Sequence, residues 1–329
     1  MTFQEAKEQF ERLFSNQMSE DEARSFLVEL YKRGESAEEI AAAAEVMREH
    51  SVKLPVSEEL RGKLIDNCGT GGDKSGSFNI STTVSLLLAA CGCYVAKHGN
   101  RSITSKSGSA DMLEALGINL NLSPEKQVEM LEKTGFCFIF AINHHPAMKF
   151  IMPIRKSLPH RTIFNILGPI TNPAGVKKQL IGVFSPSYID KIAQALKLIG
   201  TKSAMVVSSK DGMDEISISD ITYCSRLENA KIEDFVIKPE DYGLERAPFD
   251  AVKGGDAIEN AQITKDILDG RLTGPKLDIV LLNAGAALVV DGKTENIKEG
   301  IEIAREAVKS GAASEKLAQI IETSKRLGK

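Results

Sequence analysis

A glycine-rich run, Asp66-Asn67-Cys68-Gly69-Thr70-Gly71-Gly72-Asp73, precedes Phe78-Asn79-Ile80-Ser81-Thr82-Thr83. This order reads as the end of a strand, a tight loop and the start of an apolar helix. Such a loop leaves backbone N–H groups unpaired and facing outward. The helix adds its own orphan donors and the positive end of its dipole. Together they suit phosphate or pyrophosphate. A tight turn alone accounts for glycines with positive φ, but not for Asn79, Ser81 and Thr82, which all offer hydrogen bonds at a helix start. The run does not fit GxGxxG and lacks the Gly-Lys-Ser/Thr of a P-loop, which disfavours a dinucleotide fold or an ATPase.

Three further clusters carry chemistry. Lys97-His98-Gly99-Asn100-Arg101-Ser102, with Ser105-Lys106-Ser107-Gly108-Ser109, follows a strand and precedes a helix around Asp111–Leu116. Its cations and hydroxyls either complete an anion cage or form a solvated basic loop. No aromatic residues interleave with the basic ones, as single-stranded nucleic-acid binding would ask. Asp211-Gly212-Met213-Asp214-Glu215 follows another strand. Taken alone these are exposed turn acids. Beside a phosphate loop, Asp73, Asp214 and Glu215 become carboxylates that hold Mg²⁺ against phosphate oxygens. Arg155, with Lys156, Pro159, His160 and Arg161, offers a guanidinium for a carboxylate. His144-His145 reads as structural, because adjacent histidines point different ways.

The elements that must position these groups change character along the chain. Residues 1–64 carry only helical signals: Phe3, Ala6, Phe10 and Leu13 at helical spacing, then capping boxes at Ser19–Glu22 and Ser36–Glu39. From Leu64, short apolar strands alternate with amphipathic helices. Strands are expected at Lys63–Cys68, Tyr94–Lys97, Phe136–Ala141, Gln179–Phe184 and Ala204–Ser208. One helix starts at Ser123-Pro124 and stops at Gly135. Another runs from Tyr188 to Gly200. Ser217–Lys238 reads as an antiparallel excursion, and helices at Ile297–Lys309 and Ala313–Leu327 end the chain. The fold expected is α/β: a small N-terminal all-α domain, then a large α/β domain with a mostly parallel central sheet flanked by helices. The Pro-, Arg- and Lys-rich stretch from His145 to Pro173 breaks the alternation. It reads as a crossover and hinge to the helical part, with a cleft between the lobes.

Composition excludes several classes. Charged residues are 26% and hydrophobic residues 42% of 329 residues, as in a soluble globular protein. The formal net charge of −4 gives no global attraction to nucleic acid or anionic membrane. The five cysteines show no CxxC spacing. With no secretory signal, they point to a reducing cytoplasm. The longest apolar runs, such as Ile279–Val290, are too short to span a bilayer.

Taken together, the motifs resemble the anthranilate phosphoribosyltransferase family. They are Gly69-Thr70-Gly71-Gly72-Asp73, Asn79-Ile80-Ser81-Thr82, Lys97-His98-Gly99-Asn100-Arg101, Ser107-Gly108-Ser109-Ala110-Asp111, His145-Pro146-Ala147-Met148, Arg161-Thr162-Ile163-Phe164-Asn165, Leu167-Gly168-Pro169 and Asp214-Glu215. They stand in family order over most of the chain. Lys74 and Ser75 depart from the small residues often found there, and Lys210 lies in a variable stretch. The resemblance implies transfer of 5-phosphoribosyl from phosphoribosyl pyrophosphate (PRPP) to the amine of anthranilate, the second step of tryptophan biosynthesis from chorismate. It implies a helical domain of residues 1–64 with a contribution from about 151–172, an α/β domain of 65–329, and a homodimer through the helical domain. It implies PRPP contacts at Gly69, Thr70, Gly72, Asp73, Asn79, Ser81, Thr82, Lys97 and Ser109. Anthranilate would meet Gly69, His98, Asn100, Arg155, Gly168 and Pro169. Mg²⁺ would be held at Ser81, Asp214 and Glu215. Arg155 and His98 are the catalytic candidates, Arg155 aiming the amine and His98 as a proton acceptor. A pyrimidine nucleoside phosphorylase is the nearest alternative, and a nucleic-acid-binding relative of the same fold is the non-enzymatic one.

Overall fold

The computed structural model describes residues 1–102 and 106–329. Four helices come first: α1 (Phe3–Phe14), α2 (Glu20–Arg33), α3 (Ala37–Glu49) and α4 (Glu58–Lys63). The first three open on Thr2, Ser19 and Ser36, each with a reciprocal capping box to a glutamate three residues on. Strand β1 (Leu64–Gly69), α5 (Ile80–Ala90), β2 (Tyr94–Gly99), α6 (Ser109–Ala115), α7 (Pro124–Thr134) and β3 (Phe136–Phe140) follow. α7 begins on the Ser123 cap and ends at a left-handed Gly135, as its sequence dictates.

A short α8 (Ala141–His144) follows β3, and the stretch expected to be an irregular crossover contains two helices: α9 (Met148–Ser157) and α10 (Phe164–Leu167). α9 keeps Pro153 inside it. The proline lies on the exposed face, and so does Lys149, whose carbonyl it leaves without a helical donor. Then come β4 (Lys178–Gly182), α11 (Ile189–Leu198), β5 (Ser203–Ser209), β6 (Thr222–Glu228) and β7 (Lys231–Ile237). Helices α12 (Ala257–Leu268), α13 (Pro275–Asp291), α14 (Ile297–Lys309) and α15 (Ala312–Leu327) close the chain. Among the described residues, no helix is long and apolar enough to cross a membrane.

The seven strands form one sheet in the order β3-β2-β1-β4-β5-β6-β7. β3 to β5 run parallel across this order, and β6 and β7 are antiparallel. The order reverses between β1 and β4, where Gly69 pairs with Gly182 at their carboxyl ends. Open α/β sheets bind ligands outside such a switch point. One apolar core gathers α5, α13 and the helices around them against one face of the sheet. A second joins α1, α2 and α3 to Ile151, Ile154, Phe164 and Leu167, to α11, to Ile181, Ala204 and Val206 of the sheet, and to Val183 just past β4. The helical segment and the opposite sheet face therefore share one continuous core.

Candidate active site

The glycine loop leaves β1 at the switch point. Gly71 and Gly72 have φ of 68° and 73°, open to glycine without strain. Arg161 holds the loop from outside: its Nη2 donates to Gly72 O at 2.6 Å, and its guanidinium lies 3.6 Å from the centre of the Phe184 ring. Thr70 N–H donates to Gly182 O at 2.9 Å, and Thr70 Oγ1 accepts from Phe184 N–H.

The acidic turn after β5 folds back over this loop. A Cβ on Gly69 would stand 2.2 Å from Asp214 Oδ2, and one on Gly182 would stand 1.6 Å from Asp214 O. Only glycine at both positions admits the turn. Asp214 Oδ2 accepts from Gly71 N–H at 2.6 Å, and Glu215 Oε1 accepts from Ser81 N–H at 3.1 Å. Two of the donors expected to face outward are thus occupied by the acid pair. Sequence spacing gave no sign of this, because the partners lie 143 and 134 residues away. Among the described residues, the N–H groups of Gly72 and Asp73 keep no protein acceptor. Asp211, by contrast, stays within its own turn, accepting from Met213 N–H and Ser217 Oγ.

Burial, then the charges of Asp73 and Glu215, pushes the Asp214 carboxyl well above its ordinary value. Burial raises Glu215 to about 7, against the pull of Lys97. Carboxyl groups that raise one another in this way favour a nearby cation. Among the described residues, no three or more His, Cys, Asp or Glu side chains are gathered closely enough to hold a metal ion by themselves. Mg²⁺ suits the acid pair nonetheless. It takes one or two carboxylates and completes its shell with water and substrate phosphate rather than in an all-protein cage.

The helix start is less open than its sequence implies. Asn79 is the N-cap residue of α5 but makes no side-chain cap bond. Its amide donates to Ser107 O and accepts from Ser107 Oγ and Asn260 Nδ2. Thr82 Oγ1 donates to Ser109 Oγ at 3.1 Å. Lys97 is fully buried, and its Nζ donates to Asn67 O at 2.8 Å. Asp66, which heads the glycine-rich run but was given no role of its own, is buried in β1. It accepts from His98 N–H and Asn172 Nδ2, tying the ends of β1 and β2 to the crossover. Burial raises its carboxyl to about 6. Ser105 lies outside the described residues.

A second group sits at the end of β2. His98 Nδ1 lies 3.0 Å from Gly168 O, a pure acceptor, so Nδ1 carries the proton. His98 Nε2 lies 3.3 Å from His145 Nε2. Pro169 O accepts from Gln179 Nε2 at 2.6 Å, which fixes the turn. Burial depresses His98 to about 3 and His145 to about 4, so both rings are neutral near pH 7. Both nitrogens of His98 are engaged. Asn100 is exposed just beyond β2, its Oδ1 accepting from Arg101 N–H. Arg155, half-buried on α9, lies 5.3 Å from the centre of the Phe164 ring and donates to Met152 Sδ. It has no carboxylate partner among the described residues. The structure thus joins the loop, the acid pair and Ser81 in one cluster, and His98, Gly168 and Pro169 in another. Arg155 touches neither directly. Arg161, which anchors the loop, was legible as part of the basic cluster around Arg155 and of the Arg161–Asn165 motif, with no sign of its loop contact.

A helical bundle packed on an α/β sheet, with an anion loop at its switch point, defines a class. Residues 1–51 match the glycosyl transferase family, helical bundle domain, and residues 61–314 match the glycosyl transferase family, a/b domain. Anthranilate phosphoribosyltransferase of Persephonella marina is 46% identical over 321 residues, covering 98% of this chain and 94% of that protein. That of Thioalkalivibrio sulfidiphilus is 49% identical over 296 residues, covering 90% and 86%. The crystal structure of anthranilate phosphoribosyltransferase from Thermus thermophilus superposes with a TM-score of 0.92 at 42% identity, covering 99% of this chain and 96% of the other. The Saccharomyces cerevisiae enzyme in complex with PRPP and Mg gives 0.83 at 30% identity, covering 93% and 86%. The chain belongs to the anthranilate phosphoribosyltransferase family.

Proposed function

We propose that this chain transfers the 5-phosphoribosyl group of PRPP to the amine of anthranilate, giving N-(5-phosphoribosyl)anthranilate and pyrophosphate, in tryptophan biosynthesis. The observation that carries this reading is the packing of Asp214-Glu215 onto the glycine loop at the β1–β4 switch point. In this reading Gly69, Thr70, Gly72, Asp73, Asn79, Ser81, Thr82 and Ser109 surround the PRPP. Lys97, buried behind them, supplies positive charge from below. Ser81, Asp214 and Glu215 hold Mg²⁺, whose charge offsets what develops on the departing pyrophosphate.

The aromatic amine is neutral at pH 7 and needs no prior deprotonation. Departure of the leaving group is the demanding event, with oxocarbenium character at the ribose carbon. The loop N–H groups favour the charge that grows on pyrophosphate more than the charge already there. Arg155 takes the anthranilate carboxylate, while His98, Asn100, Gly168 and Pro169 wall the ring, so the amine is aimed at the sugar. With both nitrogens engaged, His98 walls and orients rather than accepts a proton. Residues 1–64 with about 151–172 form the lobe that brings Arg155 and the 168–169 turn toward the diphosphate site of residues 65–329. The same reading has a homodimer through the helical lobe and a cytoplasmic location. Loss of anthranilate fluorescence with PRPP and Mg²⁺ tests it. Turnover of thymidine or uridine with phosphate instead, or retention of DNA, would replace it with one of the alternatives.

A further inference from the structure

Strand β1 sends successive side chains to opposite faces of the sheet. Asp66 and Asn67 are neighbours in it, and both are buried. Val95 of β2 stands opposite Ile65, so His98 falls on the Asp66 face and Lys97 on the Asn67 face. On β4, Gln179 stands opposite Asp66.

On the Asp66 face lies the turn that follows α10, and three strands hold it. From β2, His98 Nδ1 donates to Gly168 O at 3.0 Å. From β4, Gln179 Nε2 donates to Pro169 O at 2.6 Å. On β1, Asp66 Oδ2 accepts from Asn172 Nδ2 at 2.8 Å. The other oxygen of Asp66 accepts from His98 N–H at 3.3 Å, so one carboxylate ties the turn to the strand that carries the histidine. Asn172 Nδ2 also reaches Ala96 O at 2.8 Å. Asp66, Asn172 and Gln179 are each no more than 1% exposed, so they act on the cleft only through the turn and His98. Among the described residues, Gln179 Oε1 has no partner. An apolar side chain of the same length would avoid that cost, and would lose the N–H on Pro169 O. On the Asn67 face lies the start of α5. Asn67 Nδ2 donates to Ser81 O at 2.7 Å, and its Oδ1 accepts from Ser85 Oγ at 2.6 Å. Asn67 O accepts from Lys97 Nζ at 2.8 Å.

We propose that β1 divides the two substrates between its faces: Asp66, with Asn172 and Gln179, positions the Gly168-Pro169 wall for the aromatic amine, and Asn67 positions Ser81 and Lys97 for the diphosphate. This division rests on the function proposed above, and adds positioning residues to it. The test is the KM of each substrate with the other and Mg²⁺ saturating, with Tm measured alongside. Gln179→Met keeps the length of the side chain and removes the donor together with the unpaired acceptor. Its anthranilate KM is expected to rise about fivefold, the equivalent of one hydrogen bond, with the PRPP KM within about twofold of wild type. Asp66→Asn is expected to show the same split, because its amide sets a donor against His98 N–H or Asn172 Nδ2. Asn67→Leu is expected to show the opposite split. A purely structural role would lower Tm and leave the ratio of the two KM values as in wild type. If Asp66→Asn does not fold, Gln179→Met decides for its face; if Asn67→Leu does not fold, Ser85→Ala decides for the other. A KM ratio unchanged on either face, or moved the same way on both, overturns the division and leaves the function standing. A wild type that does not consume anthranilate with PRPP and Mg²⁺ overturns both.

Discussion

Single atoms decide much of the chemistry at the switch point. The Gly182 Cα lies so close to the Asp214 carbonyl that Gly182→Ala must move main chain, because its Cβ would fall 1.6 Å from that oxygen. We expect a loss of about 1–3 kcal/mol or more in urea unfolding, with a raised PRPP KM. A wild-type midpoint would show that the acidic turn is free to retreat. Arg155→Ala removes a guanidinium with no protein carboxylate to release. The anthranilate KM should rise roughly tenfold or more, the worth of a charged hydrogen bond, with little change in the PRPP KM. Equal effects on both would remove Arg155 from the anthranilate site. Asp214→Asn with Glu215→Gln keeps the shape and removes both charges. Steady-state rates titrated with Mg²⁺ should then saturate at higher concentration, and an unchanged titration would rule out direct ligation. The residue types were readable from the chain: loop glycines, acid pair, lone arginine. What the types could not show was which groups satisfy one another. Asp214 and Glu215 are local in sequence to neither Gly71 nor Ser81, so their hydrogen bonds follow only from the strand order.

At the scale of elements, packing sets how the protein responds to pH. His98 is the last residue but one of β2, and the turn after α8 carries His145. Their contact is buried, and burial depresses both to about 3 and 4. A histidine depressed in the folded state is neutral there while the unfolded chain binds a proton. Its stabilising contribution is therefore complete above about 6.5 and is lost as pH falls from about 6.5 toward 4. Thermal unfolding of wild type should show Tm falling through that window, and His98→Gln with His145→Gln should flatten the fall. An identical slope in the double variant would place the acid sensitivity elsewhere. Most elements announced themselves. Capping serines opened α2, α3 and α7, Gly135 closed α7, and β-branched runs marked the strands. α9 did not, since a proline at its centre argues for a break. It forms because Pro153 faces water while Ile151 and Ile154 are buried. The crossover was thus legible as a departure from alternation but not as helix.

For the whole molecule, the arrangement of cores matters most. Ile181 and Val206 of the sheet, Leu196 of α11, and Phe10, Leu27 and Ile40 of the helical segment belong to one apolar cluster. Unfolding should therefore be cooperative. Far-ultraviolet circular dichroism and tyrosine fluorescence, with Tyr31 in the helical segment and Tyr223 in the sheet, should give coincident transitions. Separate midpoints would show that the two parts melt independently. The division into a helical lobe and an α/β body was readable from where strands first appear. The shared core was not, because it depends on which face of β4 and β5 each residue takes once the sheet is assembled. One practical consequence concerns chimeras. A junction near Pro55 looks natural from the order of elements, yet it would graft only half of a hydrophobic interior. The smallest exchangeable unit comprises the opening helices, the crossover from Met148 to Ile170, and the side of β4, β5 and α11 that they cover.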